Sequence, residues 1–492
     1  MIPRYEQVEI TKIWSDENKV ILWQRAELAV IKAVLGETSM EIYLKIRRLL
    51  LKHPIDIGWW KNREKEINHD LDAFIDERKR FLPPDLQHYL HEELTSYDTE
   101  EPAFAFMLKE SIRVVEKWLC EFTQALKEKA LKYRYTIMMG RTHGQEAELQ
   151  TFGKRCLTWL RGLMVDIENL QMAKKNLRYS KLSGAIGNYG GIDPELEKTA
   201  LRKLGFKPFY GATQIMPREL YTPLAQSFCQ IVVTLDKIAT DIRLGARSGQ
   251  PIYQEPFGKK QKGSSRMPHK ENTISTEQME GMARMARNFH SMILENIKTW
   301  EERAIEQSSV ERVAWPNLFH IVIHSLKTMT RVLNGLAVYP DNMLLEVIES
   351  RGCYATGEAK KFLGNKGAVR GFIPEEAYRM VQLAAFNVFE PGFEAKQLRE
   401  NPPTSLAQAD EILLGFQKLP RPLPISIEEV LLNGKLQISS QLEATEADVE
   451  RWNNFLKNIF CHPLNRKEFS RMFSVPHLLR NETRIYQEIL RI

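Results

Sequence analysis

The sequence predicts an all-α protein of three helical regions, organised around a central bundle of long helices. Two stripes and one scarcity carry that prediction. Phe152, Cys156, Leu160, Leu163, Ile167 and Leu170 recur at steps of four and three, and Leu220, Leu224, Phe228, Ile231, Leu235, Ile238 and Ile242 do the same. Both patterns keep one face of a helix apolar. Runs of period two, the mark of strands, are scarce throughout.

The elements follow in chain order. Residues 1–98 read as short helices interrupted at Pro83-Pro84. Residues 99–345 form the bundle. Its second stripe is widened by Cys229, Val232, Val233 and Ala239, so that helix belongs deep in the bundle or at a subunit contact. Residues 275–300 and 317–335 supply two more long helices. A third region, 346–492, follows Tyr339-Pro340. Within it, Pro391, Pro402, Pro403, Pro420, Pro422 and Pro424 are too many for continuous helix. Helical patterning resumes near Ser426 and again at the C-terminus.

Composition narrows the function. A chain of 492 residues, 43% hydrophobic and 27% charged, suits a soluble globular protein of more than one domain. A formal charge of +6 is slight for this length and gives no case for nucleic acid, though it leaves room for a basic anion pocket. The five cysteines are scattered with no C-x-x-C pair, which argues against a disulfide framework and a zinc site and favours a reducing compartment. No run is long enough to span a membrane, and the N-terminal MIPRYEQVEITKIW lacks the apolar core of a secretory signal. A cytoplasmic protein without metal or cofactor is expected.

Several clusters have the residue types for chemistry. Gly263-Ser264-Ser265-Arg266-Met267-Pro268-His269-Lys270-Glu271-Asn272 places two serines, a lysine and an amide in a glycine-led loop ahead of a long helix. Gly263 permits unusual backbone angles and Pro268 stiffens the turn. Such a loop can close over a ligand, or simply join two helices. Gly140-Arg141-Thr142-His143-Gly144-Gln145 precedes a helix expected from about Glu146. Its histidine is flanked by glycine and is either a close-approaching titratable group or a helix cap. Thr95 and Ser96, with His91 and Asp98 nearby, offer hydroxyls and amides before the next long helix, suited to phosphate or to plain capping. His69-Asp70 lies in an amphipathic segment. Arg303, Ser308 and Arg312 bracket a helix junction, where the arginines can hold a carboxylate or phosphate in forked hydrogen bonds or stand as solvated charge.

The 263–272 segment resembles the signature loop of the fumarase/aspartase superfamily, which it matches at Gly263, Ser264, Ser265, Met267, Pro268, Lys270 and Asn272. The wider order resembles the adenylosuccinate lyases within it: Arg4-Tyr5, His69-Asp70, Thr95-Ser96, Thr142-His143, Thr213-Gln214, the loop, and Arg303 through Ser308 and Arg312. The segments from Lys181 to Gly187 with Ile192 to Pro194, Glu375 to Tyr378, and Leu479 to Asn481 add to it. The likeness covers about residues 1–390 and 468–492, while 395–465 diverges.

That resemblance implies a three-domain fold and release of fumarate from adenylosuccinate, giving AMP, and from the succinylated carboxamide ribotide of purine synthesis (SAICAR). Ser264 matches the base and His143 the acid. Lys270 and Asn272 match groups that stabilise the carbanion-like intermediate. Arg4, Tyr5, Thr95, Ser96, Arg303, Ser308 and Arg312 match nucleotide and phosphate contacts, and Gln214 a substrate contact. His69 and His91 match histidines lining the site, and Asp70, Thr142, Ser265 and Met267 belong to the same motifs. A serine is a poor base until something assists it, and Lys270 or the following helix N-terminus would do so. A homotetramer with shared active sites is implied as well. Thr273, Glu93, Ala304 and Glu219 depart from the family pattern and bear on substrate choice. The same chemistry on argininosuccinate or carboxymuconate is the nearest alternative, and a non-catalytic paralogue the next.

Overall fold

The computed structural model describes residues 1–389 and 425–491, and over these the chain is predominantly helical. The prolines between 391 and 424, and residues 395–424 of the divergent segment, lie outside the described residues. Two compact units form. One comprises Met1–Glu128, Thr158–Ser248 and Tyr253–Ala337, the other Lys129–Leu157, Gly249–Ile252 and Val338–Ile492.

In the first unit short helices come first: α1 (Val8–Ile13), α2 (Asp16–Leu35), α3 (Met40–Lys52), α4 (Ile57–Ile67) and α5 (Asp70–Lys79). Side chains set where they begin. Ser15, Asp56 and His69 each accept a backbone N–H from the first turn of α2, α4 and α5. Arg78, wholly buried, ties this region together by donating to Glu77, to Gln24 and to the carbonyls of Leu50, His53 and Pro54. A single guanidinium thus gathers backbone oxygens at the end of α3 and in the turn that follows it.

Long helices follow: α6 (Ser96–Lys132), α7 (Phe152–Lys174), α9 (Thr222–Gly245), α10 (Ile274–Glu295) and α11 (Glu306–Gly335), with the shorter α8 (Pro194–Leu204) packed on α2. α9, α10 and α11 pack on one another. Leu224, Phe228, Ile231, Leu235, Ile238 and Ile242 of α9 are fully buried. The wide apolar stripe is therefore largely covered by helices of the same chain, and needs no second subunit to bury it. α11 starts well before the expected 317 because Pro316 lies inside it.

The expected helix from Glu146 is not there. Instead β1 (Ile137–Thr142) and β2 (Gln145–Thr151) form an antiparallel hairpin in the second unit, and α7 starts at Phe152. His143 and Gly144 are its two turn residues, with φ of 54° and 77°. Positive φ at both central positions suits a two-residue hairpin turn. Gly140 marks an irregular register, and a Cβ there would come 2.7 Å from the Glu148 carbonyl oxygen. The period-two signal fails here because the strands are short and the buried positions few.

The second unit continues with α12 (Pro340–Glu349), α13 (Thr356–Ala368) and α14 (Pro374–Phe389), then α15 (Ile427–Leu432), α16 (Glu446–Phe460), α17 (Pro463–Met472), α18 (Val475–Leu478) and α19 (Glu482–Leu490). Ser426 and Thr445 start α15 and α16 with capping boxes, their partners being Glu429 and Asp448. Phe362, Trp452, Phe455, Phe460 and Phe469 fill its core.

Within the first unit two buried ionic groups fasten the start of α6. Lys181 is 2.8 Å from Asp98, both fully buried. It also donates to the carbonyls of Gly184 (3.1 Å) and Gln214 (2.8 Å). Arg218 pairs with Glu101 on α6 and forks onto Glu311 of α11 at 2.9 and 3.0 Å. Removing one partner of such a pair leaves an uncompensated charge, at a cost of roughly 3–5 kcal/mol. Lys181→Met should lower unfolding stability in urea by about that amount. A change below about 1 kcal/mol would show the pair to be dispensable.

Candidate functional site

In the first unit the N-terminal residues are held against α11. The buried Gln7 N–H donates to His320 Nδ1 at 2.9 Å. Burial pulls the His320 pKa down to about 4, so its ring is neutral and Nδ1 is free to accept. Tyr5 lies edge-on to His324, ring centres 5.0 Å apart, and Arg4 is exposed beside it.

The starts of α5, α6 and α11 bring together eight of the expected residues. His69 uses Nδ1 to cap α5, which leaves Nε2 at 3.5 Å from Ser96 Oγ. Asp70 pairs with Arg312 at 2.8 Å, so it is no mere surface partner of His69. Gln214 donates to Thr95 Oγ1 at 3.2 Å and accepts from Arg303 at 2.9 Å, while Arg303 stacks 4.0 Å over Tyr97. Ser308 donates to the Ile305 carbonyl in the first turn of α11. A cavity of about 600 Å³ is lined by Asp70, Tyr97, Glu100, Arg218, Ser308 and Arg312 among others.

His91 stands in the left-handed region with φ 62°, its N–H and Nδ1 both on Glu27 at 3.0 and 2.8 Å. Burial acts to lower its pKa. The Glu27 carboxylate outweighs burial and holds the ring above its ordinary value.

The 263–272 loop is ordered largely by its own contacts. Ser264 Oγ accepts from the N–H of Met267 (3.1 Å) and Arg266 (3.3 Å), and Asn272 donates to the Gly263 carbonyl at 2.6 Å. Ser265, Met267 and Lys270 are exposed. Among the described residues, no hydrogen bond joins this loop to the Asp70–Arg312 cluster.

Two expectations about the loop are corrected. Gly263 does not adopt positive φ. It is needed because a Cβ would overlap the Lys270 carbonyl oxygen. The N-terminus of α10 is not left open to assist Ser264 either. The buried Glu255 carboxylate accepts from the Ser275 and Thr276 N–H groups and from the Thr276 hydroxyl. Its negative charge offsets the helix dipole at that end.

Thr142 and His143 lie in the second unit, exposed at the hairpin tip rather than at a helix entrance. Arg141 fixes the hairpin to α12 through Glu346 at 3.1 Å. Sequence reasoning missed Glu100, Glu255 and His320. Only Glu100 carried a usable signal: it lies four residues after Ser96, hence on the same face of the helix.

The first-unit cluster offers Arg303, Arg312, several hydroxyls and an amide as donors, beside a cavity whose lining sets Lys19, Arg218 and Arg312 among carboxylates that include Asp16, Glu64, Asp70, Glu100, Glu101 and Glu311. The sequence profile of the lyase family matches residues 54–287. The adenylosuccinate lyase of Streptococcus mutans is 34% identical over 416 residues, 84% of this chain and 94% of that protein. The adenylosuccinate lyase of Aquifex aeolicus is 35% identical over 405 residues, covering 82% and 92%. Among solved structures, β-carboxy-cis,cis-muconate cycloisomerase from Acinetobacter calcoaceticus superposes with a TM-score of 0.71 at 16% identity, covering 99% of this chain and 98% of that one. A fumarate lyase from a Mesorhizobium species gives 0.70 at 18% identity, covering 95% and 98%. These two share the fold. The sequence relatives carry the closer relation, because a third of their residues are identical over most of both chains, and on that ground this chain belongs to the adenylosuccinate lyase family of lyases.

Proposed function

We propose that the protein eliminates fumarate from adenylosuccinate, leaving AMP, and acts likewise on SAICAR. The observation that carries this reading is the convergence of Asp70, Ser308 and Arg312 on one cavity, with His69, Thr95, Ser96, Gln214 and Arg303 linked alongside. A nucleotide phosphate needs forked donors and hydroxyls, and Arg303, Arg312, Thr95, Ser96 and Ser308 supply those groups here.

Ser264 takes the role of base, removing the proton beside a carboxylate. Two backbone N–H groups already point at its oxygen and would stabilise the alkoxide formed when it gives up its own proton. Lys270, whose side chain is exposed and makes no hydrogen bond or ion pair among the described residues, is available to the carboxylate on which charge gathers. Asn272 shapes the loop through Gly263 in this conformation and meets the substrate only if that bond is exchanged. His143 donates the proton to the departing nitrogen. Arg4 and Tyr5 contribute to the phosphate side, His91 lines the site, and Thr142, Ser265 and Met267 flank His143 on the hairpin and Ser264 on the loop.

A homotetramer with shared sites remains part of the proposal. Its support is apolar surface left over around the α10–α11 junction, where Trp300 is 74% and Ile305 69% exposed. A cytoplasmic location accords with five free cysteines.

Fumarate release from adenylosuccinate is the direct test. Ser264→Ala should reduce kcat by roughly 10³ or more, by removal of the base. Release that survives the substitution would take Ser264 out of its role, and no release from the folded wild-type protein would defeat the reading itself. Gly263→Ala should also lower kcat, by about tenfold or more, through misplacement of Ser264. Its melting temperature should stay near that of the wild type because the loop is exposed; unchanged kcat would show that the loop tolerates the overlap.

A further inference from the structure

Glu100 is the one acidic group of the α6 start that the ionic lattice does not use. Asp98 is taken by Lys181, and Glu101 by Arg218, the Met216 N–H and the Tyr221 hydroxyl. Among the described residues, the Glu100 carboxylate makes no hydrogen bond or ion pair. It lines the same cavity as Asp70, Ser308 and Arg312.

We propose that Glu100 is a specificity-determining residue, whose carboxyl group admits an anionic ligand to Arg312 only while it carries a proton. The inference rests on the reading of Arg312 as an anion contact. Arg312 is already balanced by Asp70 at 2.8 Å. An ionised Glu100 adds a second carboxylate to the cavity wall that Asp70 and Arg312 share, and repels a phosphate there. A protonated Glu100 adds no charge and can donate a hydrogen bond to a phosphate oxygen.

The surroundings favour the protonated form near neutrality. Burial raises the Glu100 pKa to about 8, and the Asp70 carboxylate on α5 pushes the same way. Arg312 on α11, Arg303 ahead of it and Lys19 on α2 oppose the rise without cancelling it. Glu64 on α4 acts on Arg312, and Tyr97 is the titratable neighbour on α6 itself. A bound anion favours the protonated carboxyl further, so the bound pKa lies above the free one. Affinity is then constant below the free pKa and falls about tenfold per pH unit above it, until the bound pKa is reached.

AMP binding by titration calorimetry at pH 7, 8 and 9 tests this without depending on turnover, since the AMP phosphate is dianionic throughout. The wild-type Kd should rise about tenfold from pH 7 to pH 9. Glu100→Gln should bind at least as tightly as the wild type at pH 7 and lose most of that slope. A wild-type Kd that is flat with pH overturns the proposal whatever the variant does, as does an equal slope in Glu100→Gln. Arg312→Ala separates the two layers. If it weakens AMP binding while Glu100→Gln changes nothing, only the role of Glu100 fails. If it binds AMP as the wild type does, the anion contact fails and the proposal with it.

Discussion

The first unit depends on burying cations at the start of α6. Lys181 and Arg218 are among the most costly groups to take out of water, and each is retained because acceptors surround it. Lys181 Nζ has three, which matches its three N–H donors. Arg218 has two carboxylates and the Met216 carbonyl. Neither group tolerates a shifted neighbour, so α6, the segment carrying Gln214 and α11 are fixed in mutual register. That register is what a binding site needs, because a displacement of about 1 Å is enough to impair a reaction.

The consequences reach the candidate site's side chains in short steps. Lys181 holds the Gln214 backbone oxygen, and the Gln214 side chain then bridges Thr95 and Arg303. Arg218 holds Glu311, the residue before Arg312, and Asp70 takes Arg312 on the other side. The candidate side chains are thus placed by ionic contacts that reach them through one intermediate residue. An amide between a hydroxyl and a guanidinium has little rotational freedom left, which lowers the entropy lost on binding.

The helical architecture was legible in the sequence because it is written in periodicity. The stripe expected from Leu220 to Ile242 became α9 from Thr222 on, with Leu220 in the 3-10 turn before it, and the stripe from Phe152 became α7. The hairpin at 137–151 was not, because its alternation is weak and the His143-Gly144 turn reads equally well as a helix entrance. The site divided along the same line. Of the candidates, His69, Asp70, Thr95 and Arg312 stood out by residue type and Gln214 by resemblance, and hydrogen bonds or an ion pair tie each to another candidate in the structure. Their supports were not read: Glu255 and His320 went unremarked and Lys181 was noted only within the 181–187 segment, because contacts between residues distant in sequence leave no local pattern. His320 meets Gln7 across a separation of 313 residues.

The scaffold also explains why fold and chemistry separate here. Solved structures at 16–18% identity share the backbone, which long apolar stripes preserve through many substitutions. Charged contacts at the site are less forgiving, since removing one partner of a buried pair strands the other. The loop with Ser264 shows the principle at its smallest scale. Glu255 occupies the amides at the start of α10, so a proposed alkoxide at Ser264 receives little help from that helix. Its stabilisation falls instead to the N–H groups of Arg266 and Met267, and these point at Oγ because the loop folds tightly back on itself. That closure brings the Lys270 carbonyl into the space a side chain at 263 would need. Glycine at 263 and assistance to Ser264 are therefore two aspects of one backbone conformation.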